Sequence, residues 1–224
     1  MTGVQTCALP ISISLLGTTA LLFEAPGAPV LASQQRIWAL ARDAGNWPEV
    51  REAVPGMNNL MLSFTRPPRE LAALQERLLA AWADARPLPL EGRTIELPVV
   101  YGGDGGPHLA DVVAHTGLSV DEIVERHSAP VYPVYALGSH PGYCYLGGMD
   151  PRLATPRRKV PVLSIPGGAV SIGGTQTGVS ASAGPSGWST IGSTTMSFFD
   201  PSRNPPAVLQ PGDAIRFRIE RVIR

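Results

Sequence analysis

Lysine is nearly missing from this chain of 224 residues: Lys159 stands alone among 18 basic side chains, and the others are arginine. Chemistry that requires a lysine therefore has one candidate, set in a proline-rich loop directly behind Arg157 and Arg158. Cysteine is almost as scarce. Cys7 and Cys144 cannot form the framework of bridges that staples small secreted domains. Cys144, between Tyr143 and Tyr145, reads as a buried thiol, because a reactive thiolate wants an exposed, electropositive setting. Excess charge is absent too. With 18 basic against 18 acidic residues, no global field draws nucleic acid or an anionic membrane surface. No apolar run approaches the ~18 residues that a spanning helix needs. The opening segment 1–11, MTGVQTCALPI, resembles a translated library adapter joined to a gene rather than a leader, since no basic region precedes its apolar stretch. It is set apart from the fold, Cys7 with it, and the expected location is the cytoplasm.

Several catalytic signatures are missing as well. His108, His115, His127 and His140 make neither HExxH nor a Cys/His zinc spacing, so no metal site is expected. GxxxxGK[ST], GxGxxG and GxSxG do not occur, which removes the P-loop, the dinucleotide fingerprint and the nucleophile elbow.

Glycine and proline, by contrast, make up about a fifth of the chain. They recur singly between apolar runs, the mark of many turns. An α+β protein of two domains is expected, with a first domain over 12–85, a linker over 86–95 and a second domain over 96–224. In the first, residues 14–23 read as a strand. Residues 33–44 read as a helix with Ser33 as N-cap and Ile37, Leu40 and Ala41 on one face. Two short strands follow, at 50–54 and 58–64, around the turn Pro55-Gly56. A second helix over 68–85 puts Leu71, Leu74, Leu78 and Leu79 at helical spacing. The order βαββα suggests a small ferredoxin-like layer.

The second domain opens with a strand at 96–101, then GGDGGP at 102–107, which suits either a phosphate-binding helix start or a plain turn. LADVVAHTGLSVDEIVERH, 109–127, has the outline of a helix-turn-helix, its second helix opened by a capping box of Ser119 and Glu122. That helix carries Asp121, Glu122 and Glu125 against Arg126, and acidic side chains there would oppose phosphates. A packed elbow accounts for it better, and no nucleic-acid partner is expected. Beyond residue 131 short apolar runs alternate with Gly, Pro and Ser clusters, as in a closed β-structure, and PGDAIRFRI at 211–219 alternates strictly.

Three segments in order carry a resemblance. PGYCYLGGMDPRLATPRR (141–158), VSIGGTQTGV (170–179) and GPSGWSTIG (184–192) are similar to successive motifs of the carboxyltransferase C/D-subdomain family. That family includes the B subunit of 5-oxoprolinase, allophanate hydrolase subunit 1 and the KipI kinase inhibitor. VPGMNNLMLSF and LQPGDAIRF extend the likeness over nearly the whole chain. Family members commonly show GFxPGFxYLGG where this chain has GSHPGYCYLGG, and often an arginine where Ser193 stands.

The resemblance implies a small α/β domain followed by a cyclophilin-like β-barrel. It implies one component of an ATP-dependent 5-oxoprolinase, with ATP (and magnesium) as co-substrate. The partners would be the C-type barrel protein of 5-oxoprolinase and its A-type (LamB/YcsF) protein, and the chain alone is expected to be inactive. No biotin-attachment Met-Lys pair occurs. Phosphate charge would fall to Arg157 and Arg158, the developing oxyanion to Gln176 with glycine N–H groups, and proton transfer to His140. Tyr145 and Trp188 would wall the pocket, and Arg152, Thr177, Gly178 and Ser186 would complete it. A KipI-like inhibitor of a sensor kinase is the alternative.

Overall fold

Residues 10–224 are described by the structure, a computed structural model that divides into one unit ending at Pro89 and a second beginning at Leu90. Of the adapter-like segment 1–11, residues 1–9, with Cys7, lie outside the described residues, whereas Ile11 packs against the core of the first unit instead of standing apart from the fold. No helix among the described residues is long and apolar enough to cross a membrane.

In the first unit the expected opening strand is in fact a hairpin, β1 (Ser12–Leu16) and β2 (Ala20–Glu24). Gly17, at φ 64°, turns the chain where a side chain would be strained. Then come α1 (Leu31–Ala44), β3 (Val50–Pro55), β4 (Asn59–Phe64) and α2 (Leu71–Asp84). The sheet is antiparallel throughout, in the order β1-β2-β4-β3, so the expected βαββα arrangement gains a strand at its start. Ile37, Leu40 and Ala41 of α1 and Leu74, Leu78 and Trp82 of α2 close over Leu21, Phe23, Leu60 and Leu62. Leu79 was assigned to that face but stays 41% exposed, and Trp82 takes the place instead. Ser33 is not the N-cap, because α1 begins two residues earlier behind Val30, and its hydroxyl donates to Asn58 Oδ1. Arg36 supplies a cap that the pattern did not announce. Its guanidinium stacks 3.8 Å over the Trp82 ring and donates to the Trp82 carbonyl at 2.7 Å, satisfying a backbone oxygen at the end of α2.

The second unit is a closed barrel plugged by two helices. Its elements are β5 (Thr94–Gly102), α3 (Leu109–Thr116), α4 (Val120–Ser128), β6 (Val131–Leu137), β7 (Cys144–Leu146), β8 (Val162–Ile165), β9 (Ala169–Gly173), β10 (Gln176–Val179), β11 (Gly184–Ser186), β12 (Ser189–Ser193) and β13 (Ala214–Ile223). Seven strands close in the order β10-β7-β6-β13-β5-β12-β9, and β8 pairs with β11 in a separate two-stranded ribbon. All barrel pairings are antiparallel except β13 against β5. Alternate residues such as Leu97, Val99 and Tyr101 of β5 and Ile215 and Phe217 of β13 fill the interior. Arg216 and Arg218 point outward, as the alternation in 211–219 requires.

The segment 109–127 is the packed elbow. Leu109, Val112, Ile123 and Val124 join the barrel core, and Gly117 bends the chain at φ 71°. The capping box is complete: Ser119 Oγ accepts from Glu122 N at 3.2 Å, and Glu122 Oε2 accepts from Ser119 N at 2.8 Å. GGDGGP is a tight turn whose glycines admit neighbouring strands. A Cβ on Gly106 would sit 2.3 Å from the Ile191 carbonyl oxygen, so contact with β12 accounts for the missing side chain without a ligand.

Candidate functional site

The motifs 141–158 and 184–192 converge on a hollow of about 150 Å³ at one side of the barrel. The loop after β6 supplies Ser139 and His140, and β7 supplies Tyr145. The loop beyond the 3-10 turn Pro151–Leu153 supplies Arg157, while β11 and its exit supply Ser186 and Trp188. Of the residues named from sequence, His140, Tyr145, Arg157, Ser186 and Trp188 thus come together.

Aromatic contacts make the wall. Tyr143 lies 4.9 Å from Tyr145 and 6.2 Å from Trp188 between ring centroids, and His140 lies 5.2 Å from Tyr143. Trp188 is buried, its backbone N–H donating to Ser186 Oγ at 3.1 Å. Its indole rests on Gly173, where a Cβ would come within 2.4 Å of the ring. The Arg157 guanidinium stands 5.8 Å from the same indole, has no carboxylate within ion-pair reach among the described residues, and faces solvent.

Tyr143 and Ser180 line the hollow without having been singled out for it. Alternation in β7 could have revealed the tyrosine: Cys144 turns into the core, so its neighbours on either side must turn out. Ser139 holds φ 63°, a left-handed conformation uncommon for a serine. A second hollow, of about 230 Å³, shares Ser139, His140, Ser180 and Pro185 with the first and continues along Ser182 and Gly184.

Other expected site residues are placed elsewhere. Arg158 turns away from its neighbour and pairs with Asp111 of α3 at 2.5 Å, while its backbone N–H donates to the Gly187 carbonyl at 2.7 Å. Thr177 is fully buried: its hydroxyl donates to the Ser171 carbonyl at 3.1 Å and meets His127 Nε2 at 2.8 Å. Gly178 faces Tyr143, and a Cβ there would press 2.6 Å from the phenolic oxygen. It makes room for the tyrosine rather than for a ligand. Gln176 begins β10 outside both hollows, and Arg152 is exposed on the 3-10 turn, its N–H held by Asp150 Oδ1 at 2.9 Å.

Burial sets the protonation of the hollow. Desolvation holds His140 below the ordinary imidazole pKa, so the ring is neutral at pH 7 and can accept a proton; its Nε2 has no hydrogen-bond partner. Burial raises Tyr143 well above the usual phenol range, with Tyr145 and Cys144 adding to the shift and Arg157 opposing it. Among the described residues no cluster of three or more His, Cys, Asp or Glu could hold a metal ion.

The model of the carboxyltransferase domain, subdomain C and D, matches residues 11–209. The chain belongs to this carboxyltransferase family. It is 49% identical over 203 residues to the 5-oxoprolinase B subunit of Escherichia coli O157:H7, covering 91% of this chain and 93% of that one. It is 37% identical over 212 residues to the 5-oxoprolinase B subunit of Haemophilus influenzae, covering 95% and 99%. Among solved structures, TTHA0988 aligns with a TM-score of 0.72 at 30% identity over 89% of this chain, which spans only 39% of that one. The Kluyveromyces lactis urea amidolyase shares the fold, with a TM-score of 0.77 at 16% identity over 96% of this chain and 15% of that one. Ser193 lies beside Gly105 and outside both hollows.

Proposed function

We propose that this chain is the B subunit of an ATP-dependent 5-oxoprolinase, which opens the lactam of 5-oxo-L-proline to L-glutamate. One observation carries the reading: a desolvated, neutral His140 and an unpaired Arg157 share one hollow, in a chain 49% identical to a 5-oxoprolinase B subunit. The relatives cited above are named as enzyme subunits, and the KipI-like alternative is not favoured.

Amide resonance makes a lactam carbonyl a poor electrophile. A phosphoryl group moved from ATP to the lactam oxygen removes that protection and releases ADP. Water then adds to the carbon, giving its proton to neutral His140. The C–N bond breaks, the departing nitrogen takes that proton back, and a second water hydrolyses the acyl phosphate to glutamate and phosphate. Tyr145 and Trp188 shape the wall against which the ring rests. Magnesium would accompany the nucleotide and offset part of its phosphate charge. The barrel is of cyclophilin type in this reading, and the enzyme is cytoplasmic. That the relatives are named as one lettered component of an enzyme supports partners. Here these are a second carboxyltransferase-type barrel protein and a LamB/YcsF-type protein, without which the chain is inactive.

ATP turnover dependent on 5-oxoproline, measured for the chain alone and mixed with those two proteins, tests the assignment. Turnover in the mixture alone supports it; a folded assembly with no turnover removes it.

A further inference from the structure

We propose that Arg157 is the anchor for the substrate's carboxylate, and that the cations which bind the phosphates of ATP lie outside this site. The inference rests on the 5-oxoprolinase reading and assigns the polarity of substrate binding within it.

The charges decide the matter. Phosphoryl transfer needs several cations converging on a polyanion. Across both hollows Arg157 is the one side chain of permanent charge; the remaining lining is serine, tyrosine, tryptophan, glycine, proline, alanine and a histidine kept neutral by desolvation. Arg158, the obvious second cation, is committed to Asp111 at 2.5 Å. Lys159 is exposed and lines neither hollow. A single free guanidinium matches a monoanion, and its planar fork suits a carboxylate. The backbone beside it is held in place: Arg158 N–H is bonded to the Gly187 carbonyl, and Gly187 leads directly into Trp188, beside which the Arg157 guanidinium stands.

The geometry continues from there. A five-membered lactam with its carboxylate on Arg157 would lay its apolar ring edge against Trp188 and Tyr145. Its amide would then extend toward His140, which borders both hollows. The second hollow is lined by Ser139, Ser180 and Ser182, whose hydroxyls can donate to the lactam oxygen.

The test uses the assembled enzyme with 5-oxoproline, ATP and 2-pyrrolidinone, the same lactam without a carboxylate. Arg157→Gln is expected to raise KM for 5-oxoproline by about ten- to a hundredfold, the loss of a charge-assisted contact, while KM for ATP stays within about twofold. Arg157→Lys should recover part of the loss. Wild-type enzyme should be inhibited far more weakly by 2-pyrrolidinone than it is saturated by 5-oxoproline, and Arg157→Gln should narrow that gap. A raised KM for ATP with KM for 5-oxoproline unmoved overturns the proposal. So does a fall in kcat alone, or wild-type inhibition by 2-pyrrolidinone at 5-oxoproline concentrations. Should Arg157→Gln misfold, the comparison of the two lactams on wild-type enzyme decides. An assembly that turns over no 5-oxoproline at all removes the functional reading instead. The anchor is then judged by calorimetric binding of pyrrolidine carboxylates against the neutral lactam, in wild type and Arg157→Gln.

Discussion

Lowering the pH should destabilise this protein through one residue in the barrel core, His127. The ring is wholly buried on α4, with Tyr101 OH 2.8 Å from Nδ1 and Thr177 Oγ1 2.8 Å from Nε2. Thr177 has one hydroxyl proton and gives it to the Ser171 carbonyl. The threonine oxygen must therefore accept from His127, which places the histidine proton on Nε2 and leaves Nδ1 to accept from Tyr101. Each member of this chain is satisfied only while the imidazole is neutral, and burial lowers its pKa from 6.5 to about 3. Above pH 6.5 the folded and unfolded chains both hold it neutral, and stability is unaffected. Below pH 6.5 the unfolded chain takes up a proton that the folded one refuses, and stability falls by about 1.4 kcal/mol per pH unit until the folded ring titrates. By pH 4.5 the loss from this residue is about 2–3 kcal/mol, a large part of the 5–15 kcal/mol that holds an ordinary domain together. Urea unfolding of wild type and His127→Gln across pH 7.5 to 4.5 measures it, since the variant lacks the titrating group. Parallel pH profiles for the two proteins would refute the reasoning. Nitrogen chemical shifts give a second route if the variant fails to fold: a His127 ring that titrates near pH 6.5, or that carries its proton on Nδ1, is equally fatal.

Three other perturbations have defined outcomes. Gly173→Ala should push the Trp188 indole toward the hollow, costing about 1–3 kcal/mol by overpacking. Reduced 5-oxoproline-dependent turnover and a lower thermal midpoint are expected, and wild-type values for both would contradict the packing argument. Burial, helped by Asp213, raises Cys144 to about 12, so in a Cys7→Ser background a thiol reagent at pH 8 should label the chain only once it is unfolded. Stoichiometric labelling of native protein would show the thiol to be accessible. Asn58→Ala should destabilise the first unit by about 2–4 kcal/mol, because it forces a Cβ-bearing, non-bonding side chain into a left-handed conformation while removing hydrogen bonds. Here φ is 57° and the amide donates to the Ala25 and Gly27 carbonyls at 3.0 and 3.3 Å. Asn58→Gly should recover the backbone part alone, and denaturant midpoints of the two variants separate the contributions.

What could be read from sequence followed local periodicity. The inner face of α1 and the capping box of α4 depend on residues three and four apart, so the pattern states them directly. The opening hairpin did not declare itself, because Gly17-Thr18-Thr19 interrupts an apolar run too briefly to mark a turn. The site was legible where whole motifs converge, as with His140, Arg157 and Trp188. It was illegible where direction decides. Thr177 alternates with Gly178 and shares its face with Val179, so the same spacing that fills the core with valine buries the threonine hydroxyl on His127. Gln176, one residue earlier, begins the strand outside both hollows.

Arg157 and Arg158 show the same effect in its sharpest form, because adjacent residues of one type perform unlike tasks. In an extended segment successive side chains leave on opposite sides. One guanidinium is carried to the open hollow and the other to Asp111 on α3. The ion pair is partly exposed, so its direct contribution to stability is small. Its effect is positional: it fixes the segment whose N–H binds the Gly187 carbonyl, and so fixes Arg157 relative to Trp188. Arg158 is therefore a positioning residue for its neighbour. Two arginines that sequence offered as a pair of phosphate ligands resolve, by direction alone, into one free cation and the residue that aims it.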